Sequence, residues 1–314
     1  MMMGRGATRA SRALVAIVSL FLAAACAKAA ADGIGPAPRQ ERLRAMTYNI
    51  RLDLASDGAN AWPHRRERVA ALIASQAPDV LGLQEVLAHQ KRDLEAALPA
   101  YSFAGVGRDD GAVAGEFSPV AWRRDRFVPA GSGTFWLSST PSRPGKGWDA
   151  AYPRIATWVL LRDRDSGRML RVVSTHFDNV GAQARERSAE LVARWSKPLV
   201  RAGEAAIVLG DFNSGPGSSP IVLLADEARS GLRMARDVSQ SAPEGPTATY
   251  NGFRNETADE PPIDHVFVSP DLSVLRHVVV SPVGGGPPPS DHYPVVVDLA
   301  FGAAIARDLP ASRR

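Results

Sequence analysis

The chain has 314 residues, 45% of them hydrophobic and 22% charged, the balance of a globular protein with a sizeable core and not of a low-complexity chain. A net charge of +4 is a mild excess that suits nucleic acid, anionic lipid headgroups and phosphorylated metabolites equally, so charge alone excludes none of them.

Arg5, Arg9 and Arg12 precede an apolar stretch, Leu14 to Ala25, that is short for a membrane span, and Ala27-Lys28-Ala29 suits signal-peptidase cleavage. The expectation is a signal peptide over 1–29, a flexible leader over 30–42, one domain over 43–301 and a loose tail over 302–314. The protein would then be periplasmic or secreted, with no stable membrane span after cleavage. Cys26 is the single cysteine, and Leu22 to Cys26 resembles a lipoprotein signal site imperfectly, with Ala23 where Leu is usual. Lipid anchoring at Cys26 is the alternative.

Leu43 to Ile50 reads as a strand. Arg65 to Gln76 carries Val69, Leu72 and Ile73 at helical spacing, ended by Pro78. Val80 to Leu83 is a short buried strand and His89 to Leu98 a second helix. Strand-like runs follow at 118–122, 126–137, 155–161 and 169–175, then a helix over 181–200 and a buried strand over 205–209. Strands at 263–268, 273–280 and 293–299 complete the set. Hairpin-like neighbours mix with helical crossovers, which argues for mixed sheets covered by helices and against a doubly wound parallel fold.

Acids, amides and imidazoles recur at the ends of these runs. Asn49 closes the first strand and Glu85 follows Leu81-Gly82-Leu83-Gln84, where a buried carboxylate needs a partner or a cation. His176 ends Val172-Val173-Ser174-Thr175. Asp211 and Asn213 alternate about Phe212, so both can face one side, and Gly210 permits a close approach. Asp264 opens a strand, and Asp291-His292 precedes Tyr293-Pro294 and an apolar run. Each has a bland reading as a turn, cap or salt bridge. Together, without a Gly-x-Ser-x-Gly elbow or an HExxH pair, they favour a hard divalent ion such as Mg²⁺ or Mn²⁺ over zinc. Hard metal, carboxylates and basic residues are what phosphoester hydrolysis requires.

The ordered set Tyr48-Asn49-Ile50, Leu83-Gln84-Glu85, Ser174-Thr175-His176, Gly210-Asp211-Phe212-Asn213, Ile263-Asp264-His265 and Ser290-Asp291-His292 resembles the endonuclease/exonuclease/phosphatase (DNase I-like) superfamily. The resemblance implies an α/β (α+β) fold, a four-layered sandwich of two mixed β-sheets face to face flanked by helices. It implies that Glu85 ligates the metal with Asn49 and Asp291 nearby. Asp211 would orient or deprotonate the attacking water, and Asn213 would help hold the phosphate. Asp264 would hydrogen-bond His292 and favour its charged form, while His292 and His176 would stabilise charge or assist proton transfer. Arg51 stands where some nuclease branches carry an acid, which puts a second metal in doubt. Gly115 to Pro119, with Glu116, and Gly147 to Arg154 resemble secreted bacterial members. Trp148, Tyr152 and Arg154 would form a substrate wall, or Trp148 and Tyr152 would pack a long loop.

The expected activity is metal-dependent hydrolysis of a phosphodiester by activated water, in a protein expected to be monomeric. Its substrate would be nucleic acid, a phospholipid headgroup or a small phosphorylated metabolite. A sphingomyelin-type phosphodiesterase, an inositol-phosphate phosphatase and a non-catalytic binding protein on the same fold are the competing readings.

Overall fold

The computed structural model describes residues 42–254, 260–281 and 287–302. The expected signal peptide, Cys26, the leader before Arg42, Gly284 and the tail beyond 302 lie outside the described residues.

In chain order the strands are β1 (Arg42–Asn49), β2 (Val80–Gln84), β3 (Tyr101–Ala104), β4 (Val120–Arg123), β5 (Phe127–Trp136), β6 (Ile155–Asp163), β7 (Met169–His176), β8 (Ala205–Asp211), β9 (Arg233–Met234), β10 (Asp264–Val268), β11 (Leu272–Val279) and β12 (Val295–Phe301). The helices are α1 (Trp62–Gln76), α2 (Ala88–Ala97), α3 (Ala182–Arg201), α4 (Ser219–Ala225) and α5 (Glu227–Ser230). One six-stranded sheet runs β11-β12-β1-β2-β4-β3 and the other β5-β6-β7-β8-β10-β9. Each has one parallel pair at its centre, β1 with β2 and β7 with β8, and is otherwise antiparallel.

Alternation along the central strands explains the layers. In β1, Leu43 and Ala45 enter the core between the sheets, while Met46 and Tyr48 join the core under α1 and α2. In β8, Ile207 and Leu209 face the first sheet, and Ala206 and Val208 face the core beneath α3 and α4. Both faces are covered, so these strands read as continuous apolar runs. Gly82 marks the closest approach of the sheets, since a Cβ there would lie 1.9 Å from Leu209 Cδ1. The layers are those of the DNase I-like sandwich.

The sequence reading starts α1 late. The helix begins at Trp62 because Pro63 occupies its first turn, where a missing N–H costs nothing. The edge strands β3 and β9 and the short helices α4 and α5 carry too few residues for a visible period, and the sequence reading passes over them.

Register gathers the functional residues. His176 pairs with Asp211 across β7 and β8, Asp264 pairs with Asp211 across β10 and β8, and Asn49 pairs with Gln84 across β1 and β2. The start of β12 lies opposite Thr47 near the end of β1, which brings the preceding Asp291 and His292 to the same rim. Among the described residues no helix is long and apolar enough to cross a membrane.

Candidate active site

Asp264 and Asp211 of the second sheet flank His292, which precedes β12 of the first. Asp264 Oδ2 lies 2.8 Å from His292 Nδ1, and His292 Nε2 lies 3.8 Å from Asp211 Oδ2. Burial opposes a charge on His292, yet the carboxylates of Asp264, Asp211 and Asp291 hold its pKa well above the ordinary histidine value. Asp211 is buried and next to Asp264, and these two effects push it up to about 7. Its orientation is fixed: Asn49 Nδ2 donates to Oδ2 at 3.0 Å and the Asn213 backbone N–H donates to Oδ1 at 2.9 Å. Gly210 precedes it because a Cβ there would lie 2.0 Å from the Thr175 carbonyl oxygen.

His176 lies on the other flank of Asp211, with Nε2 at 3.4 Å from Oδ2. Burial, then the charges of Arg154, Arg108 and His292, lower its pKa well below the usual value and keep it neutral. Asn213 Nδ2 donates to the Phe177 carbonyl at 3.0 Å and to His176 Nε2 at 3.0 Å. That assigns the proton of the neutral ring to Nδ1, which is buried without a protein partner.

The first sheet supplies loosely compensated acids. Asn49 Nδ2 also donates to Glu85 Oε1 at 3.1 Å, and the Leu52 N–H donates to Oε2 at 3.1 Å. Arg51 is the nearest cation, but it gives its 3.0 Å hydrogen bonds to Asp57 and stays 4.0 Å from Glu85 and 3.8 Å from Asp291. Burial is the main cause of a raised Asp291 pKa, and the neighbouring Glu85 charge adds to it. Two neighbouring carboxylates without a close ion pair fit a hard divalent cation. Asp211, Asp264 and His292 also bring ligand atoms within 4.8 Å of one another. A cation there would have to sit beside an imidazole that its neighbours keep protonated, so we favour the Glu85–Asp291 side.

Arg51, Glu85 and Asn213 all have positive φ, at 58°, 60° and 47°. Backbone held in this sparsely populated region aims their side chains into one place. That place is a pocket of about 610 Å³ lined by Glu85, Asp211, Asn213, Asp291, His292 and His176, with Tyr152, Arg154 and Glu116 on its wall. Asn49 lies beneath Glu85 and Asp211, and Asp264 lies behind His292. Trp148 is not among the lining residues. The wall is anchored by Asp178, which accepts from the N–H groups of Ala151, Tyr152, Val180 and Gly181. Asp149 accepts from Ala184 N at 2.6 Å and so caps α3. Sequence reasoning missed Arg108, Asn179 and Tyr250 on the wall and Arg65 beneath it. None of these carries a motif.

The family model described as Endonuclease/Exonuclease/phosphatase family matches residues 46–292, which span both rims. This chain belongs to the endonuclease/exonuclease/phosphatase family. A family structure from Bacteroides vulgatus is 38% identical, with a TM-score of 0.78, covering 83% of this chain and 99% of that one. A mannosyl-6-phosphatase from Bacteroides thetaiotaomicron is 36% identical, with a TM-score of 0.78, covering 82% of this chain and 100% of that one. Nocturnin of Drosophila melanogaster is 27% identical over 284 residues, 77% of this chain and 42% of that protein. The chain spans between 39% and 59% of the length of the curated relatives it matches. Membership of the endonuclease/exonuclease/phosphatase family makes phosphoester hydrolysis the chemistry to test against this site.

Proposed function

We propose that this protein is a Mg²⁺- or Mn²⁺-dependent phosphoesterase in which a bound water attacks phosphorus directly. The observation that carries the reading is the placement of Asp211. It is buried, oriented by two hydrogen bonds, and set between a neutral and a charged imidazole at the pocket floor.

Glu85 and Asp291 would hold the ion, with Asn49 orienting Glu85. When bound, the ion would neutralise phosphate charge and favour displacement at phosphorus. Asp211 takes a proton from the attacking water, a role suited by a pKa near the working pH. His292, held by Asp264, presents a charged donor to a phosphoryl oxygen where negative charge develops. His176 stays neutral beside Asp211, with its proton placed on Nδ1 by Asn213. The expectation that Asn213 contacts phosphate meets a difficulty: its Nδ2 already serves Phe177 and His176. As the new P–O bond forms from water, the ester P–O bond breaks, and the alcohol oxygen leaves with the His292 proton, which the newly protonated Asp211 replaces.

The sequence reading expects a phosphodiester. A pocket of about 610 Å³ suits a compact substrate, and the 36%-identical mannosyl-6-phosphatase supports a monoester. The test is phosphate release with Mg²⁺ or Mn²⁺ from p-nitrophenyl phosphate, hexose phosphates, bis-p-nitrophenyl phosphate and DNA. Monoester turnover should exceed diester turnover, and Asp211→Asn should lower kcat by about 10²–10⁴. An Asp211→Asn protein with wild-type kcat would defeat the proposal.

A further inference from the structure

The pocket wall that the catalytic reading leaves unused has a definite chemistry. Three arginines line the pocket, Arg51, Arg108 and Arg154, and four carboxylates face them, Glu85, Glu116, Asp211 and Asp291. Each arginine is already committed. Arg51 pairs with Asp57, Arg154 with Asp178 at 3.3 Å, and Arg108 with both oxygens of Glu116 at 2.7 and 2.8 Å. A polyanion is bound by cations that exchange counterions for its phosphates. Among the described residues, none of the arginines lining this pocket is left for a second phosphate.

The Arg108–Glu116 pair is rigid. Trp136 Nε1 donates to the Arg108 carbonyl at 2.7 Å, and the Arg108 N–H donates to the Glu116 carbonyl at 3.1 Å. Arg108 and Glu116 both line the pocket, and after their two mutual hydrogen bonds each terminal guanidinium nitrogen keeps a second N–H and the carboxylate keeps acceptor capacity. A fixed donor beside a fixed acceptor matches a hydroxyl, which both gives and takes. Tyr152 stands next to this pair, its ring centre 5.0 Å from the Arg108 guanidinium carbon, and remains 49% exposed. An aromatic ring of this kind offers an apolar surface to the C–H face of a sugar.

We propose that Arg108, Glu116 and Tyr152 form a hydroxyl-binding subsite, and that the substrate is the phosphate monoester of a neutral polyhydroxylated alcohol, such as a sugar. This rests on the phosphoesterase reading above and adds the alcohol side of the ester to it.

The decisive comparison is hexose 6-phosphate against n-hexyl phosphate, both esters of primary alcohols, with p-nitrophenyl phosphate as the generic ester and Mg²⁺ present. A site built to hydrogen-bond hydroxyls should favour the hexose ester in kcat/KM by about 10²-fold or more. Glu116→Gln should shrink that ratio at least about tenfold. Tyr152→Leu, at an exposed position, should shrink it too and guards against a Glu116→Gln protein that does not fold. Equal kcat/KM for hexose and hexyl esters would overturn the inference while leaving a phosphoesterase in place. So would equal losses on both esters in the two variants, or a preference for a hexose bisphosphate or an oligonucleotide. Absence of phosphate release from every ester, p-nitrophenyl phosphate included, would instead remove the phosphoesterase reading and this inference with it.

Discussion

The two rims that meet in the pocket are built on opposite principles. At the end of the second sheet the side chains are paired with one another: Asp264 holds His292, and Asn213 joins Asp211 to His176. At the rim of the first sheet Glu85 and Asp291 accept from neutral donors, and the Arg51 guanidinium beside them spends its short bonds on Asp57. Asn49 joins them, giving one hydrogen bond to Glu85 and one to Asp211. The adjacent residues Asp291 and His292 divide between the two. Side chains paired with one another fix protons and tautomers, whereas a pair of acids with no close ion pair attracts a cation. The contrast teaches that neighbouring carboxylates in one pocket take different tasks according to what already satisfies them.

The largest expected effect separates the rims by metal. Chelation should reduce activity to background, and Mg²⁺ or Mn²⁺ should restore it. Glu85→Gln should weaken Mn²⁺ binding measured calorimetrically, whereas His292→Ala should leave it nearly unchanged. Equal weakening by both substitutions would erase the distinction between the rims.

Next comes the Asp264–His292 pair. His292→Ala should lower kcat by about 10²–10⁴. Asp264→Asn should also lower it, since the negative partner of the imidazolium is lost. The double variant should cost little more than the worse single one, because either change breaks the same arrangement. Additive losses in the double-mutant cycle would show two independent groups.

A third prediction concerns what holds the first rim in place. Arg65 is fully buried with no carboxylate partner, and it donates to the carbonyls of Ile50, Arg51, Leu52, Asn60 and Pro289. It ties the segment after β1 to the one before Asp291. Arg65→Ala should destabilise the fold by about 3–5 kcal/mol in denaturant melts, since several buried carbonyls lose their donors. Arg65→Lys should recover only part of this, because an ammonium cannot reproduce the fork. A full rescue by lysine would show that charge, not geometry, matters there.

The smallest effect lies behind the dyad, where buried histidines differ in their partners. His265 lies 2.8 Å from the Ser214 carbonyl through Nε2, whereas His277 Nδ1 has no partner. Burial pushes His277 down to about 4. Between about pH 6.5 and 4 the unfolded chain takes up a proton that the folded protein refuses, so stability falls as pH falls through that window. The contribution is at most about 3 kcal/mol. His277→Leu should flatten this part of the stability–pH curve, and an unaltered slope would count against the assignment.

The sequence by itself was enough for mixed sheets covered by helices and for the strand-end positions of Glu85, His176, Asp211, Asp264 and His292. The reason is local. Buried strands require continuous apolar runs, and a polar residue closing such a run can only stand at the rim. What only the tertiary structure decided is how those residues divide. Register set Asp264 and His176 on either side of Asp211. It also turned Asn213 onto His176, spending the amide that sequence reasoning offered to phosphate. Arg65 and Arg108 were illegible because backbone carbonyls hold the first, and Glu116 with a distant tryptophan and tyrosine hold the second, none of which leaves a periodic trace. Trp148 looked like a wall residue beside Tyr152. The Asp178 carboxylate anchors the loop at Ala151 and Tyr152, and Tyr152, not Trp148, reaches the pocket. Spacing along a chain records which face a residue occupies, but the partner on that face belongs to another strand, and only packing selects it.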